Sequence, residues 1–300
     1  MEGAILTAIL ARLGDALATS PFDAGASAPR IPWPKPAKDL RRGMLALRVD
    51  GVTAGYVDAA RAARLAHFDE VFRVERDTIG FVEALADAPS RTAAMAAVAH
   101  ALAREGALTA WREELYAVCE EFGAAPLFLL ERAAARYFGI HTFAAHVNGV
   151  VAGDDPAMLW FARRSPSKAI DPGQLDNLVG GGIAAGRGVA DTVVKEASEE
   201  AGIDAALAAT ARLAGSLYVE RLHADGLQRE TIFVHDLDLP ASFVPANQDG
   251  EVVEYRRVAL DGAAALIAAT AGPDIVTVDA SVVVLDFLRR YAAFGERSRG

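Results

Sequence analysis

A run of three glycines, followed at short distance by an acidic helix, constrains this chain more than any other feature of its sequence. The glycines are residues 180–182, and residues 189–201 carry apolar side chains at helical spacing. Glu196 and Glu200 are one turn apart and share one face of that helix, with Glu199 beside them. The opposite face can pack against a sheet through Val189, Val193, Val194, Ala197 and Ala201.

The three clustered glutamates predict a metal site. Carboxylates within one helical turn repel each other, and without a counter-charge some would bind protons near neutral pH. Mg²⁺ removes this repulsion, because it is a hard cation that takes oxygen ligands and keeps several waters. A backbone carbonyl of Gly180 or Gly181 can approach the same ion, since glycine has no Cβ. A solvated acidic face would explain the glutamates but not the glycines before them.

The stretch from Gly181 to Ile203 resembles the sequence box of the Nudix hydrolases, G-x5-E-x7-R-E-U-x-E-E-x-G-U, in which U is aliphatic. The three helix glutamates, Gly202 and Ile203 fall on its most diagnostic positions, and Ala197 takes an aliphatic one. The resemblance implies an α+β fold, a Nudix α/β/α sandwich with a mixed sheet, preceded here by a smaller α+β domain. It also implies hydrolysis of a diphosphate bond with Mg²⁺, or Mn²⁺ as the alternative.

Two positions of the box differ from the family pattern. Arg187 stands where the family has Glu, and Lys195 stands where it has Arg. In the family these two residues form a scaffolding ion pair, which two cations cannot make. Lys195 can instead reach Asp191 or Glu199, at i−4 and i+4. A non-catalytic diphosphate-binding module therefore stays open as an alternative to an enzyme.

The resemblance also assigns roles in catalysis. The helix glutamates would hold the metal, and a further carboxylate from outside the box is usual in the family. Here residues 248–254 offer Glu251 and Glu254, which strand alternation places on opposite faces. Glu251 comes at the start of the strand and is better placed to reach the metal or a water. Glu199 or Glu251 is thus expected to orient or deprotonate the attacking water.

A cationic cluster precedes the glycine run and is a candidate for substrate binding. Arg163 and Arg164 end a predicted strand, and Lys168 follows. Arginine can bind a diphosphate by paired hydrogen bonds, and lysine can bind it as a point charge. The alternative is an exposed cluster that only offsets the acidity of the chain.

Composition narrows the class of partner. The formal net charge of −10 argues against nucleic acid or an anionic membrane as the main partner, and leaves a small-molecule diphosphate. No apolar run reaches the length of a membrane span. The one cysteine, Cys119, excludes an internal disulfide, and the apolar N-terminus lacks a basic segment before it. These features predict a cytoplasmic protein; they leave the oligomeric state open.

The periodicity of the sequence changes near residues 139–145, which divides the chain into domains of residues 1–143 and 144–300. The first is expected to begin with an amphipathic helix and a Pro-rich segment, residues 20–40, anchored by Trp33. It continues with a hairpin turning at Asp50-Gly51, a strand at 72–74 and helices at 90–105, from 111 through Cys119, and at 127–137.

In the second domain, the same rules predict strands on both sides of the glycine loop and two helices at the end. The strands are residues 146–151, 158–164, 215–222, 229–237 and 252–260, with turns at 153–156 and 225–226, and the helices are 262–271 and 278–294.

The resemblance extends beyond the box to one subgroup of Nudix proteins with an uncharacterised N-terminal domain. The matching residues are His146-Val147-Asn148-Gly149, Trp160, Arg163-Arg164-Ser165, Lys168, Asp171-Pro172-Gly173, Leu175-Asp176-Asn177, Asp236-Leu237 to Pro240 and Asp249-Gly250-Glu251-Val252. In fungi a related module is fused to thiamine pyrophosphokinase, which implies thiamine diphosphate or its oxidised analogues as substrate and the monophosphate as product.

Other substrates remain open at this level. A nucleoside or sugar diphosphate hydrolase would share every catalytic residue. An isopentenyl-diphosphate isomerase has a related fold but needs a cysteine near the loop, whereas Cys119 falls in the other domain. Specificity is expected from the N-terminal domain, through Trp33, Trp111 or Tyr116, on which a flat heterocycle can stack.

Overall fold

The computed structural model describes residues 2–13, 17–18, 39–151 and 157–297. The segment around Trp33 and the turn at 153–156 lie outside these ranges, so both expectations stay predictions. The chain opens with helix α1 (Glu2–Leu13) and the short strand β1 (Leu17–Ala18). In the described ranges, no helix is both long and apolar enough to cross a membrane.

The first α+β domain is built on a four-stranded sheet of order β3-β2-β5-β4, with a separate two-stranded sheet. Its elements are β2 (Leu45–Val49), β3 (Val52–Val57), α2 (Ala59–Leu65), β4 (Phe72–Val74), β5 (Thr78–Phe81), α3 (Ala88–Arg104), β6 (Leu115–Val118), β7 (Phe128–Glu131) and a 3₁₀ helix (Arg132–Ala134).

Local sequence accounts for the elements that were predicted correctly in this domain. Asp50 and Gly51 both have positive φ, 48° and 84°, which is the conformation of a tight hairpin turn. Helix α3 begins at a capping box in which the Asp87 side chain accepts from the Ser90 N–H at 2.8 Å. Its inner face packs Met95, with other apolar residues, into the core of the domain.

The two helices predicted between α3 and the second domain, from 111 through Cys119 and at 127–137, are wrong. Ala110 and Glu113 have φ of 61° and 57°, which a right-handed helix does not contain, and the chain then runs as β6. The segment predicted as a helix at 127–137 is β7 followed by the 3₁₀ turn. Pairing between β6 and β7 overrode the helical spacing of both segments. Cys119 follows β6 and is buried.

The second domain is a sandwich around a mixed sheet, eight-stranded within the described ranges. Its elements are β8 (His141–Val151), β9 (Met158–Arg164), β10 (Leu175–Asn177), β11 (Val179–Gly182), α4 (Val189–Ala201), α5 (Ala205–Ala208), β12 (Arg212–His223), β13 (Gly226–Leu239), β14 (Val252–Ala259), α6 (Leu260–Ala268) and α7 (Val278–Arg297). The main order is β1-β12-β13-β8-β9-β10, with β11 on β8 and β14 on β9. Strands β8 and β13 are parallel, and the other pairs of this sheet are antiparallel.

Helices cover both faces of this sheet, which confirms the predicted fold class. One apolar cluster joins the sheet to α1, α6 and α7, and the other joins it to α4 and α5. Ile9 and Leu13 of α1 lie in the first of these clusters, and the Arg12 guanidinium donates to the Ile267 carbonyl oxygen at 2.6 Å. The first helix of the chain thus packs on the second domain, a long-range contact that a division of the sequence at residue 143 separates.

Candidate active site

The glycine run forms β11 and lies directly against helix α4. The Gly180 N–H donates to Glu200 Oε2 at 2.8 Å, so it points away from β8 and toward the helix. Because the N–H and C=O of one strand residue point to the same side, the Gly180 carbonyl faces the helix as well. A Cβ on Gly181 would lie 2.5 Å from Glu196 Cδ, so any other residue there would displace the Glu196 carboxylate. Gly202 ends α4 with φ of 64°, the left-handed cap that was predicted.

Glu200 is the most buried of the three helix glutamates. It is 6% exposed, and burial raises the pKa of its carboxyl to about 8. The nearby Glu196 carboxylate raises this pKa further, and the Gly180 N–H opposes the shift. The Tyr255 hydroxyl donates to the backbone carbonyl of Glu200, which ties the end of α4 to β14. A carboxylate held in this way needs a neighbouring cation to be stable as an anion.

The Lys195 ammonium forms ion pairs with the other two glutamates. Its Nζ donates to Glu199 Oε2 at 2.6 Å, as predicted, and also to Glu196 Oε1 at 2.9 Å. Arg187, the other unusual position of the box, is exposed. The scaffolding pair of the family is therefore replaced by contacts between Lys195 and the glutamates themselves.

The three glutamate carboxylates and the carbonyl of the glycine strand are chemically suited to bind a divalent cation. Across the described ranges, no three acidic, histidine or cysteine side chains converge on one point, because Lys195 holds Glu196 and Glu199 while Gly180 holds Glu200. The Lys195 ammonium nevertheless lies where a cation contacts two of the carboxylates, and the third is buried beside the glycine strand. Carboxylate and carbonyl oxygens are the ligands that Mg²⁺ prefers.

Arg187→Glu is expected to leave activity within about twofold of wild type, because the exposed Lys195–Glu pair it would allow is worth only about 0–1 kcal/mol. Steady-state kinetics and thermal melting of both proteins measure this. A variant that folds but has lost turnover would instead show that Arg187 contacts substrate.

The three predicted substrate-binding cations do not face the same way. Arg163 turns its guanidinium to Glu254 and Asp274, at 2.6 Å each. Arg164 pairs with Asp176 at 2.8 Å and lines a cavity next to the glycines together with Lys168. The sequence cluster is thus divided by strand alternation, and only its second and third members border the cavity.

Glu251 is held between two cations from different domains. Arg112 Nη1 of the first domain donates to Glu251 Oε1 at 3.1 Å, and Lys168 Nζ makes a close ion pair with Oε2. Burial lowers the pKa of Lys168 to about 8 and the nearby Glu200 carboxyl opposes that shift, so we expect the ammonium form at neutral pH. Glu254 pairs with Arg163 and Arg256 instead, which separates the two candidate carboxylates.

The cavity beside the glycines has a volume of about 440 Å³ and lies between the two domains. Its cationic lining comes from both of them: Arg112, Arg132, Arg136, Arg164, Lys168 and Arg229. Tyr116 of β6 also lines it, and the hydroxyl lies only 1.9 Å from where a Cβ on Gly182 would be. The Ala185 N–H donates to the Leu115 carbonyl oxygen at 2.8 Å, which joins β6 to the loop before α4.

Sequence reasoning placed some residues of this site and missed others. Tyr116 borders the cavity, whereas Trp111 stacks on His100 at a ring distance of 4.6 Å and lines a separate pocket of the first domain. Arg112 and Tyr255 were missed, because neither is close to the box in sequence. Cys119 packs in the apolar cluster under α4, and its pKa is raised by burial. It is not among the residues lining the cavity, and this weakens the isomerase alternative.

Comparison with known proteins supports the resemblance to the Nudix hydrolases over most of the chain. A family model described as a NUDIX domain matches residues 142–277, and one described as a domain of unknown function (DUF4743) matches residues 35–142. The chain is 37% identical over 249 residues to Nudix hydrolase 24, chloroplastic, of Arabidopsis thaliana, covering 82% of this chain and 67% of that protein. It is 40% identical over 210 residues to Nudix hydrolase 20, chloroplastic, of the same plant, covering 70% and 55%.

A solved structure, that of DR0079 from Deinococcus radiodurans, is 21% identical and covers 58% of this chain and 98% of its own, with a TM-score of 0.45. Both plant relatives are chloroplastic proteins, which contradicts the predicted cytoplasmic location. A single cysteine excludes an internal disulfide but does not distinguish one compartment from another, so composition was a poor guide. The two matched domains and these relatives establish that the chain belongs to the Nudix hydrolases and is a pyrophosphohydrolase.

Proposed function

We propose that this Nudix hydrolase cleaves a small organic diphosphate bound in the cavity between its two domains. The proposal rests on one arrangement. The glycine strand lines the cavity, its Gly180 contacts the buried Glu200, and the cations that line the cavity come from both domains. A diphosphate carries two to three negative charges, and arginines and a lysine at the cavity wall can neutralise them in an otherwise acidic protein.

The proposed metal ligands are the carboxylates of Glu196, Glu199 and Glu200, with a carbonyl of Gly180 or Gly181. The orientation of the Gly180 N–H toward α4 favours the Gly180 carbonyl. Mg²⁺ held there, or Mn²⁺ in its place, would supply charge neutralisation at the phosphoryl oxygens.

The remaining chemistry falls to side chains at the cavity edge. Arg164 and Lys168 bind the phosphates, and Arg112 reaches the same place from the first domain. Glu251 orients or deprotonates the attacking water, with Glu199 as the alternative. Because Lys168 and Arg112 both contact Glu251 in the free protein, an entering diphosphate competes for these cations and leaves the carboxylate able to accept a proton. Positioning and charge neutralisation supply most of the rate acceleration.

Thiamine diphosphate and its oxidised analogues are the substrates we propose first, because the resemblance of the sequence extends to that subgroup. A panel of these compounds, ADP and UDP-glucose, assayed with Mg²⁺ and with Mn²⁺ for monophosphate and phosphate, tests the proposal. We expect kcat/KM for a thiamine compound to exceed that for ADP by about tenfold or more, a difference of about 1.4 kcal/mol in transition-state binding. A preference for ADP or UDP-glucose would favour the general nucleoside or sugar diphosphate hydrolase.

Arg112→Gln tests the contribution of the first domain. The change removes one phosphate ligand, and we expect KM for the preferred diphosphate to rise about tenfold with a smaller change in kcat. Arg76→Gln, an exposed arginine of the same domain, is the matched control and should behave as wild type. Point substitution is preferable to removal of residues 1–143, since that cut would pass through β8 and remove α1 from the core. An unchanged KM in Arg112→Gln would exclude Arg112 from phosphate binding.

A further inference from the structure

A chain of buried amides leads from the cavity along one face of the sheet to Asp236, which pairs with Arg290 of α7. His146 Nδ1 lies 2.8 Å from Asn177 Oδ1, and Asn177 Nδ2 donates to Asn148 Oδ1 at 3.2 Å. Asn148 Nδ2 in turn donates to Asp236 Oδ1 at 3.0 Å. All four side chains are at most 7% exposed. They belong to the sequence motifs around the box that the proposed reaction leaves unused.

Hydrogen-bond chemistry gives this chain one direction. Asp236 is paired with Arg290, so it is an ionised acceptor, and the Asn148 amide must present its NH₂ group to it. The Asn148 oxygen then accepts from the Asn177 NH₂ group. This leaves only the Asn177 oxygen for His146, whose Nδ1 must therefore carry the proton. In the neutral imidazole the other ring nitrogen, Nε2, is then a hydrogen-bond acceptor.

The imidazole belongs to the cavity wall beside the glycine strand. Thr142, Ala144 and His146 occupy one face of β8 and all line the cavity. Gly180 is paired with His146 across β11, and a Cβ there would lie 3.0 Å from the ring, so the glycine also makes room for the imidazole. Because Asn177 occupies Nδ1, Nε2 is the ring nitrogen left for a group bound in the cavity.

Farther along the same wall are more acceptors. Glu230 lies opposite Thr142 on β13, and the Thr142 hydroxyl donates to its Oε1 at 3.0 Å. Glu230 and Asp279 share the Gln228 amide, at 3.2 and 3.1 Å, and all three line the cavity. Carboxyl groups of this wall thus share one cavity with the phosphate-binding cations Arg112, Arg164 and Lys168.

We propose that His146 is a specificity-determining residue whose Nε2 accepts a hydrogen bond from an N–H or O–H group on the organic half of the substrate. The inference rests on the proposed diphosphatase function and adds to it the class of substrate: a diphosphate whose organic half donates hydrogen bonds. An anionic or purely acceptor group beside Nε2 would leave two acceptors facing each other, which costs binding energy.

The tautomer is tested without any turnover. Nitrogen-15 NMR of the wild-type protein with labelled histidine distinguishes protonated from unprotonated ring nitrogens, and His146→Gln identifies the signal. We expect Nδ1–H with unprotonated Nε2. A proton on Nε2 in the free protein would overturn the proposal, whatever the enzyme cleaves.

Two substitutions distinguish the role of His146 Nε2 as an acceptor from that of Nδ1 in its buried hydrogen bond with Asn177. The amide of Gln extends to the position of Nε2, whereas the shorter amide of Asn reaches only the position of Nδ1. His146→Gln should keep KM for thiamine diphosphate and ADP within about threefold, and His146→Asn should raise it about tenfold, the value of one hydrogen bond. His67→Asn and His67→Gln, at an exposed histidine, are the matched controls.

A ligand without donors completes the test. Isopentenyl diphosphate has a hydrocarbon organic half, so its inhibition constant should be within about twofold in wild type and both His146 variants. If His146→Asn weakens this ligand as much as the amino-bearing substrates, or if His146→Gln is the weaker variant, the histidine is only structural and the proposal fails. Failure of the wild type to cleave any diphosphate refutes the proposed function instead, and the NMR result still reports on the histidine.

Discussion

Glu200→Gln is expected to lower turnover on the order of 100-fold or more, because it removes the charge of a proposed metal ligand, and such a charge is worth several kcal/mol in the transition state. The change preserves shape, and the Gln side-chain oxygen can still accept from the Gly180 N–H. Glu113→Gln, at an exposed glutamate of the first domain, is the control and should retain wild-type kinetics. Similar activity in wild type and Glu200→Gln would contradict the ligand assignment.

The same substitution has a second expected effect, on stability without metal. Burial raises the folded-state pKa of Glu200 from 4.5 to about 8, so the folded protein binds more protons than the unfolded chain between these values. The stability of the metal-free wild type should therefore fall as pH rises across that window. Glu200→Gln has no such carboxyl, and in EDTA at pH 9 it should melt several degrees above wild type. The melting temperatures of both proteins are compared between pH 5 and pH 9. If the two change by the same amount, the raised pKa of the buried Glu200 carboxyl is contradicted.

Gly182→Ala is expected to reduce both stability and activity. The added Cβ would lie 1.9 Å from the Tyr116 hydroxyl oxygen and 2.8 Å from its Cζ, and Tyr116 is buried in the first domain at 6% exposure. Overpacking of this kind costs about 1–3 kcal/mol, and displacement of the glycine strand by about 1 Å can cost on the order of 100-fold in rate. Thermal melting and kcat/KM measure the two effects.

Tyr116→Phe provides the partner for a double-mutant cycle. It removes the closest atom but leaves Cζ in place, so Gly182→Ala combined with Tyr116→Phe should recover part of the lost stability. Gly188→Ala is the matched glycine control, since its φ is −87° and the nearest atom to an added Cβ is a flexible Asp191 oxygen at 3.3 Å. Additive effects of the two changes would show that strand and tyrosine are not coupled.

The sequence by itself determined the central part of this protein. The glycines, the apolar stripe of α4 and the glutamates on its other face depend on spacing within one short segment, and helical geometry converts that spacing into a surface. The αL cap at Gly202 and the hairpin turn at Asp50-Gly51 were predictable for the same reason, since each depends on backbone conformations that few residues adopt.

Only the tertiary structure decided how distant segments meet. Segment 111–118 has helical spacing, but β6 pairs with β7 and carries Tyr116 to the glycine strand. Three cations adjacent in sequence were separated by strand alternation, while Arg112 and Lys168, far apart in sequence, converge on Glu251. The sequence contains His146, Asn148, Asn177 and Asp236, but it does not show which of them hydrogen-bonds to which. Such contacts depend on strand register and domain packing, which are set by burial over the whole chain and not by local spacing.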